Sequence, residues 1–165
     1  MKRIFPSLFI LFIFVVSSCS NSSHDLLWYQ EKSIRAECTL NSEYKIIISK
    51  DSESSSVTLS SPAELEGISF EINDEQCLAK TPDGIKMPID RSSISGICAL
   101  TDIFSLNEES IIKTEPAENG SAIYTFSENG VFYEMTYGKN STPKHVKILS
   151  ENFSYDIEIN AIEIK

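Results

Sequence analysis

The sequence predicts a mainly β protein: one large curved antiparallel sheet of about ten strands, forming an open half-barrel with a helix packed on its concave face. Apolar and polar residues alternate with a period of two through much of residues 34–160. Short polar turns separate these segments, and two turns carry the Asn-Gly pair of tight hairpins. Only residues 92–105 in this region have clear helical spacing. These observations together favour an antiparallel meander with one apolar face, which the helix covers.

The first half of the chain is typical of short hairpins. Alternating segments occupy residues 34–40, 44–48, 57–59 and 68–72. Pro82-Asp83-Gly84 is a turn signal between the predicted strands 76–81 and 85–89. Upstream, Leu26 to Lys32 is expected to form one or two helical turns, with Leu26, Leu27 and either Trp28 or Tyr29 packing inward.

The predicted helix spans Ser92 to Ser105, with Ser92 or Ser93 as its N-cap. Strands resume at Ile111. Asn119-Gly120 and Asn129-Gly130 then indicate hairpins, because type I′ turns need positive φ at both central residues. The last predicted strand alternates without interruption from residue 153 to residue 160.

The N-terminus has the pattern of a bacterial lipoprotein leader. Lys2 and Arg3 precede the apolar run Leu8–Val16, which is too short to span a bilayer as a helix. Val16-Ser17-Ser18-Cys19 then resembles a lipobox, which predicts a diacylglyceryl group on Cys19. We therefore expect a signal peptide at 1–18, a lipidated cysteine and short polar tether at 19–27, and a single domain at 28–165.

This pattern predicts an extracytoplasmic protein that contacts the membrane through its lipid anchor. Ser20, rather than Asp, follows the cysteine, which in a Gram-negative cell would allow sorting to the outer membrane. The chain carries 14 basic and 24 acidic residues, and loss of the leader removes two of the basic ones. So acidic a surface argues against nucleic acid as a partner.

A family resemblance rests on four features: the lipobox, the segment Leu27–Glu37 that leads into the first strand, the meander interrupted by a helix after Ile89-Asp90, and the hairpin series that ends the chain. With them the chain resembles the half-barrel family of the LolA and LolB lipoprotein-localisation factors and the RseB-type regulators, and most of all Gram-positive lipoproteins of that fold. The resemblance implies an apolar cavity, closed by helices, that receives acyl chains.

We expect a non-catalytic protein that binds an apolar ligand, a lipid or an acyl chain, in its concave sheet. The alternative is a structural or regulatory envelope protein with a filled core, acting through protein contacts. The residues expected to line the cavity share the apolar phase of their strands; they are Ile46, Ile48, Leu59, Phe70, Tyr124, Tyr133, Met135, Tyr155 and Ile157.

The sequence shows no pattern typical of a catalytic, cofactor or metal site. His24 and His145 have no Cys, Asp or His at metal-ligand spacing and are interpreted as surface residues. Acidic pairs such as Glu108-Glu109 lie at turns, which favours a solvated rim. Apart from Cys19 there are three cysteines. Cys38 is expected to be buried. A disulfide between Cys77 and Cys98 is one possibility that the sequence leaves undecided, since sequence cannot assign connectivity.

Overall fold

Residues 26–165 are described by a computed structural model, which contains one helix longer than a turn and eleven strands. The helix, α1, is Ser95–Asp102. The strands are β1 (Ile34–Leu40), β2 (Tyr44–Lys50), β3 (Ser55–Ser61), β4 (Ser69–Ile72), β5 (Cys77–Lys80), β6 (Lys86–Ile89), β7 (Ile111–Pro116), β8 (Ala122–Glu128), β9 (Val131–Tyr137), β10 (Pro143–Leu149) and β11 (Ser154–Ile164).

All eleven strands belong to one sheet in the order β6-β5-β4-β3-β2-β1-β11-β10-β9-β8-β7, and every pair is antiparallel. The first and last strands pair at the centre, and each half of the chain forms a meander that runs outward from there. The sheet is open, because β6 and β7 form its two edges. The predicted half-barrel with one helix is therefore confirmed.

Both edge strands carry residues that discourage further pairing. Pro88 lies in β6, and β7 contains the exposed Lys113 and ends at Pro116. Proline has no N–H to donate, and an exposed lysine disfavours the approach of another strand. The chain crosses from one edge to the other between Ile89 and Ile111, and this crossing contains α1.

The tight turn after β8 has the predicted geometry. Asn129 and Gly130 have φ of 51° and 78°, which are the positive values that a type I′ turn requires. Asn119 and Gly120 also have positive φ, 57° and 72°, although they belong to a longer loop between β7 and β8. The hairpins of the second half therefore form where the Asn-Gly pairs predict them.

The predicted helix is wrong at both ends. A 3-10 turn at Arg91–Ile94 precedes α1, which ends at Asp102 rather than Ser105. The cap of the 3-10 turn is Asp90, whose carboxylate accepts a hydrogen bond from the backbone N–H of Ser92 at 2.9 Å. A carboxylate at the positive end of a helical turn is a strong cap, so Asp90 takes the role that the sequence suggested for Ser92 or Ser93.

The last strand continues beyond its predicted end to Ile164. A bulge makes this possible: Ile159 pairs with Cys38 and Ala161 with Glu37, so Asn160 is the extra residue. The extra residue shifts the alternation by one, which returns Ile162 and Ile164 to the face that Ile157 and Ile159 occupy upstream.

The N-terminal turns, residues 26–32, lie against the concave face. Backbone hydrogen bonds join Gln30 N to Leu27 O at 2.9 Å and Lys32 N to Tyr29 O at 3.0 Å. Tyr29 is buried, whereas Trp28 is turned outward with the Lys32 ammonium 4.9 Å from its ring. The predicted leader 1–18, Cys19 and most of the tether lie outside the described residues.

Candidate functional site

Strand register places all nine predicted cavity residues on one face of the sheet. Residues directly opposite each other in paired strands point to the same side. Three rows cross the sheet in this way and contain seven of the nine, and a fourth row, Ile46 with Leu59, completes the set. The three rows are Ile48–Val57–Phe70, Tyr124–Met135–Val146–Ile157 and Tyr133–Ile148–Tyr155.

In the structure this face is packed against a cover made of two parts, the N-terminal turns and the segment that contains α1. The cover buries its own apolar side chains on the sheet. Five of the nine predicted residues are fully buried there, namely Ile46, Ile48, Tyr133, Met135 and Ile157, while Leu59, Phe70, Tyr124 and Tyr155 are half-buried. The buried residues of the cover are Leu26, Leu27, Tyr29, Ala99, Leu100, Thr101, Ile103, Phe104 and Leu106.

The helix approaches the sheet closely at Gly96. A Cβ at this position would overlap the hydroxyl of Tyr155 on β11. Glycine therefore allows the first turn of α1 to lie directly on the central strands. This close approach means that an apolar chain has to displace the helix in order to reach the sheet beneath it.

One buried hydrogen bond joins the N-terminal turns to the sheet. The hydroxyls of Tyr29 and Tyr137 lie 2.7 Å apart, and the Tyr137 hydroxyl also lies 3.7 Å from the sulfur of Met135. Burial raises the pKa of Tyr29 to about 12 and raises that of Tyr137 further. Both phenols stay neutral at physiological pH, so the pair remains a neutral hydrogen bond.

Lys50, the last residue of β2, connects both parts of the cover. Its ammonium donates to the carbonyl of Gln30 at 2.7 Å and to the carbonyl of Phe104 at 2.8 Å, and the Gln30 side chain donates to the carbonyl of Leu106. Burial lowers the pKa of Lys50. The two carbonyl oxygens stabilise the ammonium, because hydrogen bonds to a charged group are stronger than those between neutral groups. No local sequence pattern indicates the role of Lys50, because its partners are distant in sequence.

A polar cluster lies beside α1 at the rim of the half-barrel. Asp102, an exposed residue at the end of α1, lies near Tyr133, with Glu128 and Arg91 also nearby. Desolvation, followed by the charge of Glu128, raises the pKa of Asp102 from 3.8 to about 6. Asp102 and Arg91 also line an open pocket of about 290 Å³ next to the β2–β3 and β4–β5 turns. Its walls are polar, so it differs from the apolar cavity that the sequence predicted.

Within residues 26–165, no group of three or more His, Cys, Asp or Glu side chains is arranged to hold a metal ion. The Nε2 atom of His145 is hydrogen-bonded to the carboxylate of Asp156 at 2.8 Å, and His145 lies on the side of β10 away from the core. No helix of residues 26–165 is both long and apolar enough to cross a bilayer. His24 lies outside the described residues.

Comparison with known proteins finds solved structures with weak similarity to this chain. No protein-family model matches the sequence, and no curated protein sequence is significantly similar to it. An uncharacterised conserved protein from Thermus thermophilus is 11% identical with a TM-score of 0.49, covering 86% of this chain and 84% of that chain. A putative outer membrane lipoprotein-sorting protein domain from Vibrio parahaemolyticus is 11% identical with a TM-score of 0.44, covering 82% and 86%.

A LolA superfamily protein from Nitrosomonas europaea is 9% identical with a TM-score of 0.40, covering 82% of this chain and 87% of that chain. Sequence identities this low carry no information about function. The predicted half-barrel is confirmed as a fold by the sheet itself, which is open, antiparallel and covered by one helix on its concave face.

The Tyr29–Tyr137 hydrogen bond can be tested by a double-mutant cycle. We expect Tyr29→Phe or Tyr137→Phe alone to lower the free energy of unfolding by about 1–2 kcal/mol, because each leaves a buried hydroxyl without its partner. The free energy of unfolding of the double variant should fall by less than the sum of the losses in the two single variants. Urea unfolding measures all four proteins, with Tyr44→Phe at a half-buried position as the control. Strictly additive losses would contradict the interaction.

Asp102 predicts a specific pH dependence. Its folded pKa of about 6 lies above its ordinary value of 3.8, so the folded chain binds this proton more tightly than the unfolded chain. The contribution of Asp102 to the free energy of unfolding is therefore complete at low pH, and it is lost as the pH rises through 6. Between pH 7.5 and pH 5, thermal unfolding of Asp102→Asn should show a smaller gain in Tm than the wild type.

Asp83→Asn, which makes the same charge change at an exposed turn, is the control for Asp102→Asn. It should keep the pH response of the wild type. Equal responses in the wild type and in Asp102→Asn would contradict the raised pKa of Asp102.

Proposed function

We propose that this protein is a non-catalytic extracytoplasmic lipoprotein, anchored through a diacylglyceryl group on Cys19, which binds an apolar chain of a lipid or lipoprotein on its concave sheet. The leader pattern supports the anchor and the compartment. The acidic composition is consistent with a domain that is held near the membrane by acyl chains and not by attraction to anionic lipid.

The main support for the proposal is that the cover on the concave face is small and contributes no strand to the sheet. The sheet beneath it is a continuous apolar surface contributed by strands from both halves of the chain. The cover itself is a short helix and a few turns, with no strand hydrogen-bonded into the sheet. Its apolar side chains could be replaced by an acyl chain without breaking any strand pairing.

The polar contacts of the cover are few and can be named. Lys50 Nζ binds carbonyls of both parts, and the Tyr29 hydroxyl binds Tyr137. A neutral tyrosine pair and one lysine can be solvated again when the cover moves, at a cost of a few kcal/mol that burial of an acyl chain offsets at about 0.8 kcal/mol per methylene. We propose that binding exchanges the cover for the ligand.

A second candidate is the structural or regulatory envelope protein with a filled core. Within residues 26–165, every buried side-chain nitrogen or oxygen atom has a hydrogen-bond partner, and this favours the second candidate. It is also favoured by an apolar pair on the convex face: Phe132 and Leu149 are directly opposite each other in β9 and β10 and are 45% and 49% exposed. On this account the protein acts through a protein partner at that face.

The anchor is tested by metabolic labelling with a palmitate analogue. We expect the wild-type chain to be labelled and to fractionate with membranes. Cys19→Ala should lose the label, because a lipobox without its cysteine has no thiol to acylate. Cys38→Ser, a cysteine within the domain, is the matched control and should label like the wild type. Unchanged labelling of Cys19→Ala would refute lipidation at this position.

Apolar-chain binding can be read from the single tryptophan, Trp28, which lies in the cover with its ring 6.1 Å from that of Tyr29. We expect 9,10-dibromostearate to quench Trp28 fluorescence saturably. Leu59→Glu, at a half-buried position of the concave face, should weaken this binding at least tenfold. Leu149→Glu, the same change on the convex face, should leave it unchanged.

The two variants also separate the candidate functions. Circular dichroism and Tm first establish that both variants are folded. Absence of saturable quenching, together with no lipid in native mass spectra of protein extracted from its own cells, would contradict the first candidate. Loss of a chemically cross-linked envelope partner in Leu149→Glu alone would then support the second.

A further inference from the structure

The N-terminal turns present one large aromatic side chain to solvent. Trp28 is the single tryptophan of the chain and is 38% exposed, whereas its neighbours Leu27 and Tyr29 are buried against the sheet. The Lys32 ammonium lies 4.9 Å from the centroid of the Trp28 ring. The outer side of these turns therefore carries an indole with a cation beside it, while their inner side belongs to the core.

The N-terminal turns lie at one end of the half-barrel. Ser33, which follows them directly, exchanges two backbone hydrogen bonds with Lys165, at 3.2 Å and 2.9 Å. β1 begins and β11 ends at this place. From here β1 runs for seven residues toward the turn at Asn41, a distance of about 20 Å at the usual rise of a strand. Trp28 is therefore near the end of the half-barrel that is opposite the turn between β1 and β2.

The proposed anchor limits how far this end can lie from a membrane. Residues 20–25 separate Cys19 from Leu26, where the described chain begins. A fully extended chain spans about 3.5 Å per residue, so Leu26 lies within about 25 Å of an acylated Cys19. In an anchored domain, the end of the half-barrel that carries Trp28 is therefore the end closest to the bilayer.

We infer that Trp28 and Lys32 contact the lipid surface and fix the orientation of the anchored domain, with the N-terminal turns facing the bilayer. This inference rests on the lipid anchor proposed above and not on the apolar ligand. Indole rings favour the boundary between headgroups and acyl chains, because the ring leaves water while its N–H keeps polar partners. Lysine lays its methylene groups along the same boundary and keeps its ammonium among the headgroups.

The charges near Trp28 fit a lipid surface without net charge. Glu31 and Lys32 are adjacent and both exposed, so their charges balance. The chain as a whole has a formal net charge of −10, which opposes attraction to anionic lipid. The contact therefore depends on the apolar surface of the indole, and phosphatidylcholine, which is zwitterionic, is the appropriate probe.

The test measures Trp28 fluorescence in the full lipidated chain, extracted from its own cells and reconstituted in phosphatidylcholine vesicles. Lipids brominated near the ester end of their acyl chains should quench Trp28 more than lipids brominated near the methyl end, because the indole lies at the boundary. Iodide in the aqueous phase should quench Trp28 only weakly.

The matched control exchanges two aromatic residues, Trp28→Phe together with Phe132→Trp. Phe132 is exposed on the convex face and is opposite Leu149, which pairs with Ser154 at the start of β11, far from the end that carries Trp28. Once circular dichroism has established that this variant is folded, its tryptophan should escape both brominated lipids and be quenched strongly by iodide.

Two further measurements distinguish failure of this inference from failure of the proposed function. Leu59→Glu, which is expected to lose apolar-chain binding, should keep the quenching by ester-end bromine; loss of that quenching would assign it to a bound ligand and overturn the inference. In a palmitate-labelled protein, iodide quenching of Trp28 as strong as in the exchange variant, with no quenching by either lipid, would also overturn it and leave the anchor intact. Absence of the palmitate label would contradict the anchor and, with it, this inference.

Discussion

An open sheet of eleven strands must have its apolar face covered, and this requirement shapes the rest of the molecule. A closed barrel would bury that face against itself, but here β6 and β7 remain unpaired edges. The crossing between those edges supplies α1, and the residues before β1 supply the N-terminal turns. Gly96 permits close contact with Tyr155, and Lys50 joins both parts of the cover to the end of β2. Removal of the cover would expose Met135 and Ile157 to water, so any apolar chain that replaces it is stabilised by the same burial.

The cover also connects the proposed anchor to the core. Tyr29, whose hydroxyl is bound to Tyr137 inside the half-barrel, lies ten residues after Cys19 in the sequence. Acyl chains on Cys19 would therefore hold the cover itself close to the membrane surface. The proposed exchange of cover for ligand would take place where lipid is available.

Much of this fold can be predicted from the sequence, because its strands and hairpins are specified by residues that are close together in the chain. Period-two alternation and the Asn129-Gly130 turn specify strands and hairpins from neighbouring residues, and register then brings Ile48 and Phe70 to one face. Prediction fails where tertiary structure decides: the bulge at Asn160 extends β11, and Asp90 rather than a serine caps the turn before α1. The contacts of Lys50 join residues far apart in the chain, so no local pattern indicates them. The lining role of the nine cavity residues stays a prediction, although the sheet brings them together.

The proposed function requires the cover to be a separable part of the core, which leaves the sheet without unfolding it. Native-state hydrogen exchange of the full chain, with and without palmitate, tests this most directly. We expect the amides of residues 99–103 to exchange through a local opening, faster than those of the central strands β1, β10 and β11. With palmitate bound, the helix amides should exchange faster still, while the strand amides become more protected. Helix and strand amides that exchange at one common rate, unchanged by palmitate, would contradict it.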